Sequence, residues 1–354
     1  MRRALYFLSV SLVFAQPVAD VQPAVSTDPV THDADDPAIW RNPSNPAESI
    51  VVGTNKVAVP NGAIFVFGLD GKIRQKLGPL DRPNNVDIEY GMHLGGKPVD
   101  IAVVTERLKS RLRVYAIEGG KLREVSSPGG IAVLEGMQGE QAMPMGISLY
   151  RRPKDGAIFA IISPKNGPGV NYLWQYRLAG DGAGNVKGVF ARRFGNYSGK
   201  GEIEAVAVDD ELGYVYYSDE DDSIRKYHAD PDHPKAPQEL ARFGETGFQG
   251  NQEGIAIYAG RNGAGYILCT DQLLNQSLYR IYRREGAKHN PHDHSEVVKI
   301  VRGASDSTDG LEASSASFGT RFPRGFVAAM NSKGKNFHFY RWEDFAAAGL
   351  VKLP

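Results

Sequence analysis

The sequence is short of cysteine, of net charge and of helical periodicity, and each shortage excludes something. One cysteine in 354 residues excludes an internal disulfide framework and any cysteine-rich zinc module. That residue, Cys269 in the apolar run Tyr266–Thr270, reads as core. Lys+Arg 41 balance Asp+Glu 41, so the basic excess of a general nucleic-acid or anionic-membrane binder is missing. No apolar run approaches the ~20 residues of a spanning helix, and no membrane insertion is expected. Glycine, by contrast, is abundant at 40 residues, above the ~7% average. The chain turns often.

The first residues read as a leader. Met1-Arg2-Arg3 is basic, Ala4 to Phe14 is apolar, and the chain reaches a small residue at Ala15. This is the pattern of a secretory signal peptide over residues 1–15, and it predicts a secreted or periplasmic protein. Residues 16–30, with Pro17, Pro23 and Pro29, read as an extended lead-in. Residues 31–354 read as a single domain.

From Asp33 on, short apolar strands recur in triplets between Gly, Asn, Asp and Pro. The triplets open at Asp36, Asp87, Met145, Glu204, Glu253 and Asp309, a spacing of roughly 50–60 residues, near that of propeller blades. Only Trp342 to Gly349 reads as a helical turn. The pattern predicts an all-β six-bladed propeller, with antiparallel sheets of about four strands around a central channel.

Aligning the triplets exposes two polar rows. The residue opening the innermost strand is acidic in five repeats, at Asp36, Asp87, Glu204, Glu253 and Asp309, with Met145 the exception. Carboxylates gathered at one channel mouth repel one another unless cations neutralise them, and hard oxygen ligands suit calcium. The second row follows the second strand: Lys56, Arg107, Lys165, Glu220, Gln272 and Ser332. One side of the mouth is therefore basic and the other acidic. That layout suits metal-assisted phosphoryl chemistry, with an anion on the basic side.

At these residues the chain resembles the β-propeller phytases, of the calcium-dependent bacterial 3-phytase type. Asp33-Ala-Asp-Asp-Pro-Ala-Ile-Trp40 and Asn84-Asn-Val-Asp-Ile-Glu-Tyr90 are similar to the family's two signatures. Further likeness runs through Thr54-Asn-Lys56, Gly146-Ile-Ser-Leu-Tyr150, Glu253-Gly and Thr308-Asp-Gly310. The resemblance implies a six-bladed propeller that hydrolyses phytate, myo-inositol hexakisphosphate, with calcium at one end of the channel. It implies calcium ligands at Asp35, Asp36, Glu204, Glu220, Glu253 and Asp309, and at the carbonyls of Pro37 and Val86. It implies phosphate contacts at Lys56, Arg107, Tyr150 and Lys165. Glu220, Tyr150, Lys56 and Arg107 are the expected catalytic set, acting with a calcium-activated water that attacks phosphorus. Phytate or calcium–phytate is the expected substrate, and a monomer the expected state. Val57 stands where the family often has a second Lys, and Met330-Asn331-Ser332 replaces a calcium loop.

Two other functions fit a polar propeller mouth. A calcium-dependent lactonase or other ester hydrolase would not need the Lys56, Arg107, Lys165 row. A non-catalytic propeller could bind an anion or a protein there, without turnover. His289, His292 and His294 lack metal-ligand spacing and read as a polar loop.

Overall fold

A computed structural model describes residues 18–347. The leader expected at 1–15 lies outside them. Six antiparallel sheets stand around one axis. Blade one is Ala34–Trp40, Ile50–Asn55, Ala63–Gly68 and Ile73–Leu77, in that order from the channel outward. The inner strands of the other five blades are Pro83–Leu94, Pro144–Arg151, Val206–Asp209, Asn251–Ala259 and Leu311–Ser314. A short helix, Trp342–Ala347, follows the last blade. Among the described residues no helix is long and apolar enough to cross a membrane.

The core is divided among the seams between blades. A strand sends successive side chains to opposite faces, so each blade feeds two seams. Val51 packs into the seam with blade six and Val52 into the seam with blade two. Six apolar clusters result, one for each pair of neighbouring blades. Cys269 is fully buried in the seam between blades four and five. The histidine loop clasps the same region. His294 Nε2 lies 3.1 Å from the Lys226 ammonium, and its Nδ1 donates to the Arg283 carbonyl at 2.8 Å.

The described part of the lead-in, residues 18–30, contributes strands to the propeller. Val25–Ser26 is the outermost strand of blade six, paired with Phe339 and His338. Ala19–Val21 adds a parallel strand to blade five. Both outer edges offer unpaired backbone groups that would otherwise need water. The ring is therefore closed by strands from both ends of the described chain.

Candidate active site

The inner strands are bulged at the mouth. The ladder slips between Ala34 and Pro37, Pro83 and Val86, Pro144 and Ile147, and Gln252 and Ile255. A bulge bends the strand and re-aims its side chains. Regular pairing begins in each blade at Pro37, Val86, Ile147, Val206, Ile255 and Leu311. Counting back two residues gives the true ring: Asp35, Asn84, Met145, Glu204, Glu253 and Asp309. The sequence row is thus corrected at two blades. Asp35, not Asp36, is the member from blade one, and Asn84, not Asp87, the member from blade two. Bulges add residues without advancing the ladder, which displaced the alignment. Asp36 lies one step down the channel and accepts from the Val86 amide at 2.9 Å. Asp87 lies deeper, accepting from the Leu149 amide at 2.7 Å. Pro37 and Val86 line the same channel, a cavity of 180 Å³. Gly146 and Gly254 follow the ring residues of their blades; a Cβ there would stand 2.1 Å from the Glu204 carbonyl and 2.5 Å from that of Asp309.

The second row is in register. Backbone amides of Lys56, Arg107, Lys165, Glu220 and Ser332 donate to the carbonyls of Asp33, Arg82, Met143, Glu202 and Asp306, at 2.8 to 3.1 Å. Five blades thus tie the end of the second strand to the segment entering the first. The sequence reading missed a row of hydroxyls two residues earlier. Thr54, Thr105, Ser163 and Ser218 donate across to the carbonyls of Asn84, Met145, Ile203 and Glu253 in the next blade. The signal was present as a Ser or Thr two residues before five of the six members of the second row, with Met330 the exception. In blade five, Thr270 holds that position, and the Gly254 amide donates to the Asp309 carbonyl instead.

Lys56 stands among the acids. Its ammonium lies 2.7 Å from Asp35 Oδ1, 3.1 Å from Asp309 Oδ2 and 3.3 Å from Glu204 Oε1. Burial works against its charge, but Asp35, Glu204 and Asp309 outweigh burial and hold it well above the usual lysine range. The carboxyl of Asp35 is pushed well up by burial, and neither of its oxygens has a hydrogen-bond donor in good geometry. The Lys56 contact is a close ion pair of poor hydrogen-bond angle. Glu253 is pushed well up by burial and then by Glu220, Asp309 and Glu204. Glu220 is pushed up to about 7, mainly by burial. Burial also resists charge on Glu204, but Lys56, Asn84 and Arg107 outweigh it and hold that carboxyl below its usual range. Oxygens of Glu204, Glu220 and Glu253 lie within 4.8 Å of one another. Buried carboxylates this close, some short of donors, make a hard-oxygen donor set that a divalent cation fits.

The cationic side is held by amides and acids. Arg107 donates to Asn84 Oδ1 at 3.1 Å, and Asn84 Nδ2 donates to Glu204 at 2.5 Å. Gln272 donates to Asp309, and Lys165 pairs with Glu202. Asn84 and Gln272 are thus site residues whose roles sequence reasoning did not assign.

Tyr150 is not brought to the site. Its strand runs from the mouth at Pro144 to the far end at Arg151, and Tyr150 pairs with Phe159 there. Its ring is buried between blades three and four, stacked on Phe159 at 6.2 Å. Burial pushes its hydroxyl up to about 12. The expected catalytic and phosphate role of Tyr150 is withdrawn. Asn331 of the Met330–Ser332 segment accepts from the Asp306 amide and donates to Asn336 Oδ1.

The family model described as Phytase matches residues 2–349. The 3-phytase of Bacillus subtilis (strain 168) is 32% identical over 337 residues, covering 90% of this chain and 83% of that protein. A solved β-propeller domain, Cps50 (Swd1) of Myceliophteria thermophila, covers 87% of this chain and 97% of its own, with 11% identity and a TM-score of 0.48. That likeness is too slight to bear on function, and the six blades rest on the hydrogen-bonded sheets.

Proposed function

From the premise that the chain belongs to the phytase family, we propose that it releases phosphate from phytate at the channel mouth, with calcium held by Asp35, Asp36, Glu204, Glu220, Glu253 and Asp309. One observation carries the reading: an acid ring and a cation row share one mouth, in register across the blades. A lactone substrate would leave that cation row without a task.

Each phosphomonoester carries about −1.5 to −2 charge, and six give roughly −10 on the same basis. A chain of zero net charge has no overall field to attract such an anion, so the mouth must do so locally. Calcium bound there supplies positive charge that draws and polarises phosphate oxygens. Arg107 and Lys165, oriented by Asn84 and Glu202, hold equatorial oxygens, with Lys56 beside them. The hydroxyls of Thr54, Thr105, Ser163 and Ser218 are spent on the next blade. None is paired with a base that would make it a nucleophile, which favours direct attack by water. Calcium–phytate is the substrate form we expect, and the enzyme acts as a monomer outside the cytosol.

The test is phosphate release from phytate with calcium and with excess chelator. Turnover should need calcium and return when it is restored. Full activity after thorough chelation overturns the calcium assignment.

A further inference from the structure

Two guanidinium groups at the mouth have no carboxylate partner. Arg82 lies between the cation-bearing strand ends of blades one and two. Its amide donates to the Val57 carbonyl at 3.0 Å, and its own carbonyl accepts from the Arg107 amide at 3.0 Å. Arg107 is 6% exposed. Burial, and next the charge of Arg82, pull its guanidinium below the usual arginine range. Neighbouring cations have found acids: Lys109 pairs with Asp81, Arg111 with Glu106 and Lys165 with Glu202. Among the described residues Arg82 and Arg107 pair with none. The buried Nε of Arg82 has no hydrogen-bond partner, and Arg107 has only the Asn84 amide oxygen.

Arg82 also sits at φ 60°, in the left-handed region where a residue with a Cβ is disfavoured. A backbone need alone would be met better by glycine. Two neighbouring guanidinium charges, one buried and one half-buried, and an orphaned buried donor are costly unless an anion satisfies them. We propose that Arg82 is a substrate-binding residue, whose guanidinium joins Arg107 in gripping one phosphate group of the substrate. Guanidinium groups suit this task because their planar donors match phosphate oxygens in pairs. The inference rests on the phytate reading above.

The test uses the full-length protein with calcium and compares Arg82→Gln, Arg82→Lys and Arg82→Gly. KM for phytate should rise about tenfold or more in the Gln and Gly variants, the loss expected for a charged hydrogen bond. The fall in kcat should be smaller, and Arg82→Lys should lie between. Arg82→Gly should melt no lower than the unmodified protein, because glycine accepts the backbone angle. A KM within twofold of the original in Arg82→Gly overturns the proposal, since any effect of Arg82→Gln would then be conformational. Inorganic phosphate binding, by calorimetry, separates this outcome from failure of the phytate reading. If the unmodified protein does not turn over phytate, weaker phosphate binding by Arg82→Gly still supports the anion role. Equal phosphate binding by the two proteins removes it.

Discussion

Lys56 Nζ lies 2.7 Å from Asp35 Oδ1, inside the ring of acids. In the metal-free protein this ammonium is the positive charge that the buried carboxylates face. Removing one partner of a buried pair leaves the other uncompensated, at a cost of about 3–5 kcal/mol. Lys56→Met should therefore lower the melting temperature strongly in chelator. Calcium should recover much of the loss by supplying the missing charge. A deficit of equal size with and without calcium would show that the ring does not hold the ion.

The two sides of the mouth should fail differently. Glu220→Ala should lose turnover by about a hundredfold or more, because its carboxylate joins Glu204 and Glu253 in the donor set, and a ligand there acts where charge develops. Lys165→Ala should mainly raise KM, because its charge attracts substrate without joining the acid cluster. Steady-state kinetics on phytate at saturating calcium distinguish the two, and the opposite pattern would exchange their roles.

Tyr150→Phe should leave kcat and KM for phytate within twofold of the original. The side chain is 3% exposed in the seam between blades three and four, far along its strand from the mouth. A tenfold loss of kcat without a change in melting temperature would restore Tyr150 to the site.

Acid should loosen the clasp around His294. Burial, and next the Lys226 charge, push this imidazole down to about 4. Its unfolded value is near 6.5. A base held below its unfolded value contributes stability above pH 6.5 and loses it as the pH falls through 4. The contribution is on the order of 3 kcal/mol. The stability difference between the original protein and His294→Gln, from denaturant melts, should shrink by that amount between pH 7 and pH 4. A constant difference would mean that His294 does not titrate in this range.

The repeats were legible because six blades reuse one strand pattern, and Lys56, Arg107, Lys165 and Glu220 fell into true register because their strands are regular. The acid ring was legible in composition but not in position. Bulges at the mouth shift the count, so Asp36 and Asp87 were put where Asp35 and Asn84 stand. Tyr150 was misplaced for a different reason: a motif near the mouth runs on down the strand, and its later residues serve the seam. Asn84 stood within a recognised motif, yet its amide bridge from Glu204 to Arg107 is a contact across blades. No local pattern announces such a contact.

Val25–Ser26 completes the sheet of blade six more than 300 positions away in the chain. A growing polypeptide therefore makes one half of this fastening early and must wait for the other until almost everything else has been synthesised. Asp35 and Asp309, which share the Lys56 ammonium, belong to the two blades that meet at this join. The mouth is consequently assembled at the last step of ring closure, and chains cut short before blade six would keep most of their strands while lacking a complete set of ligands.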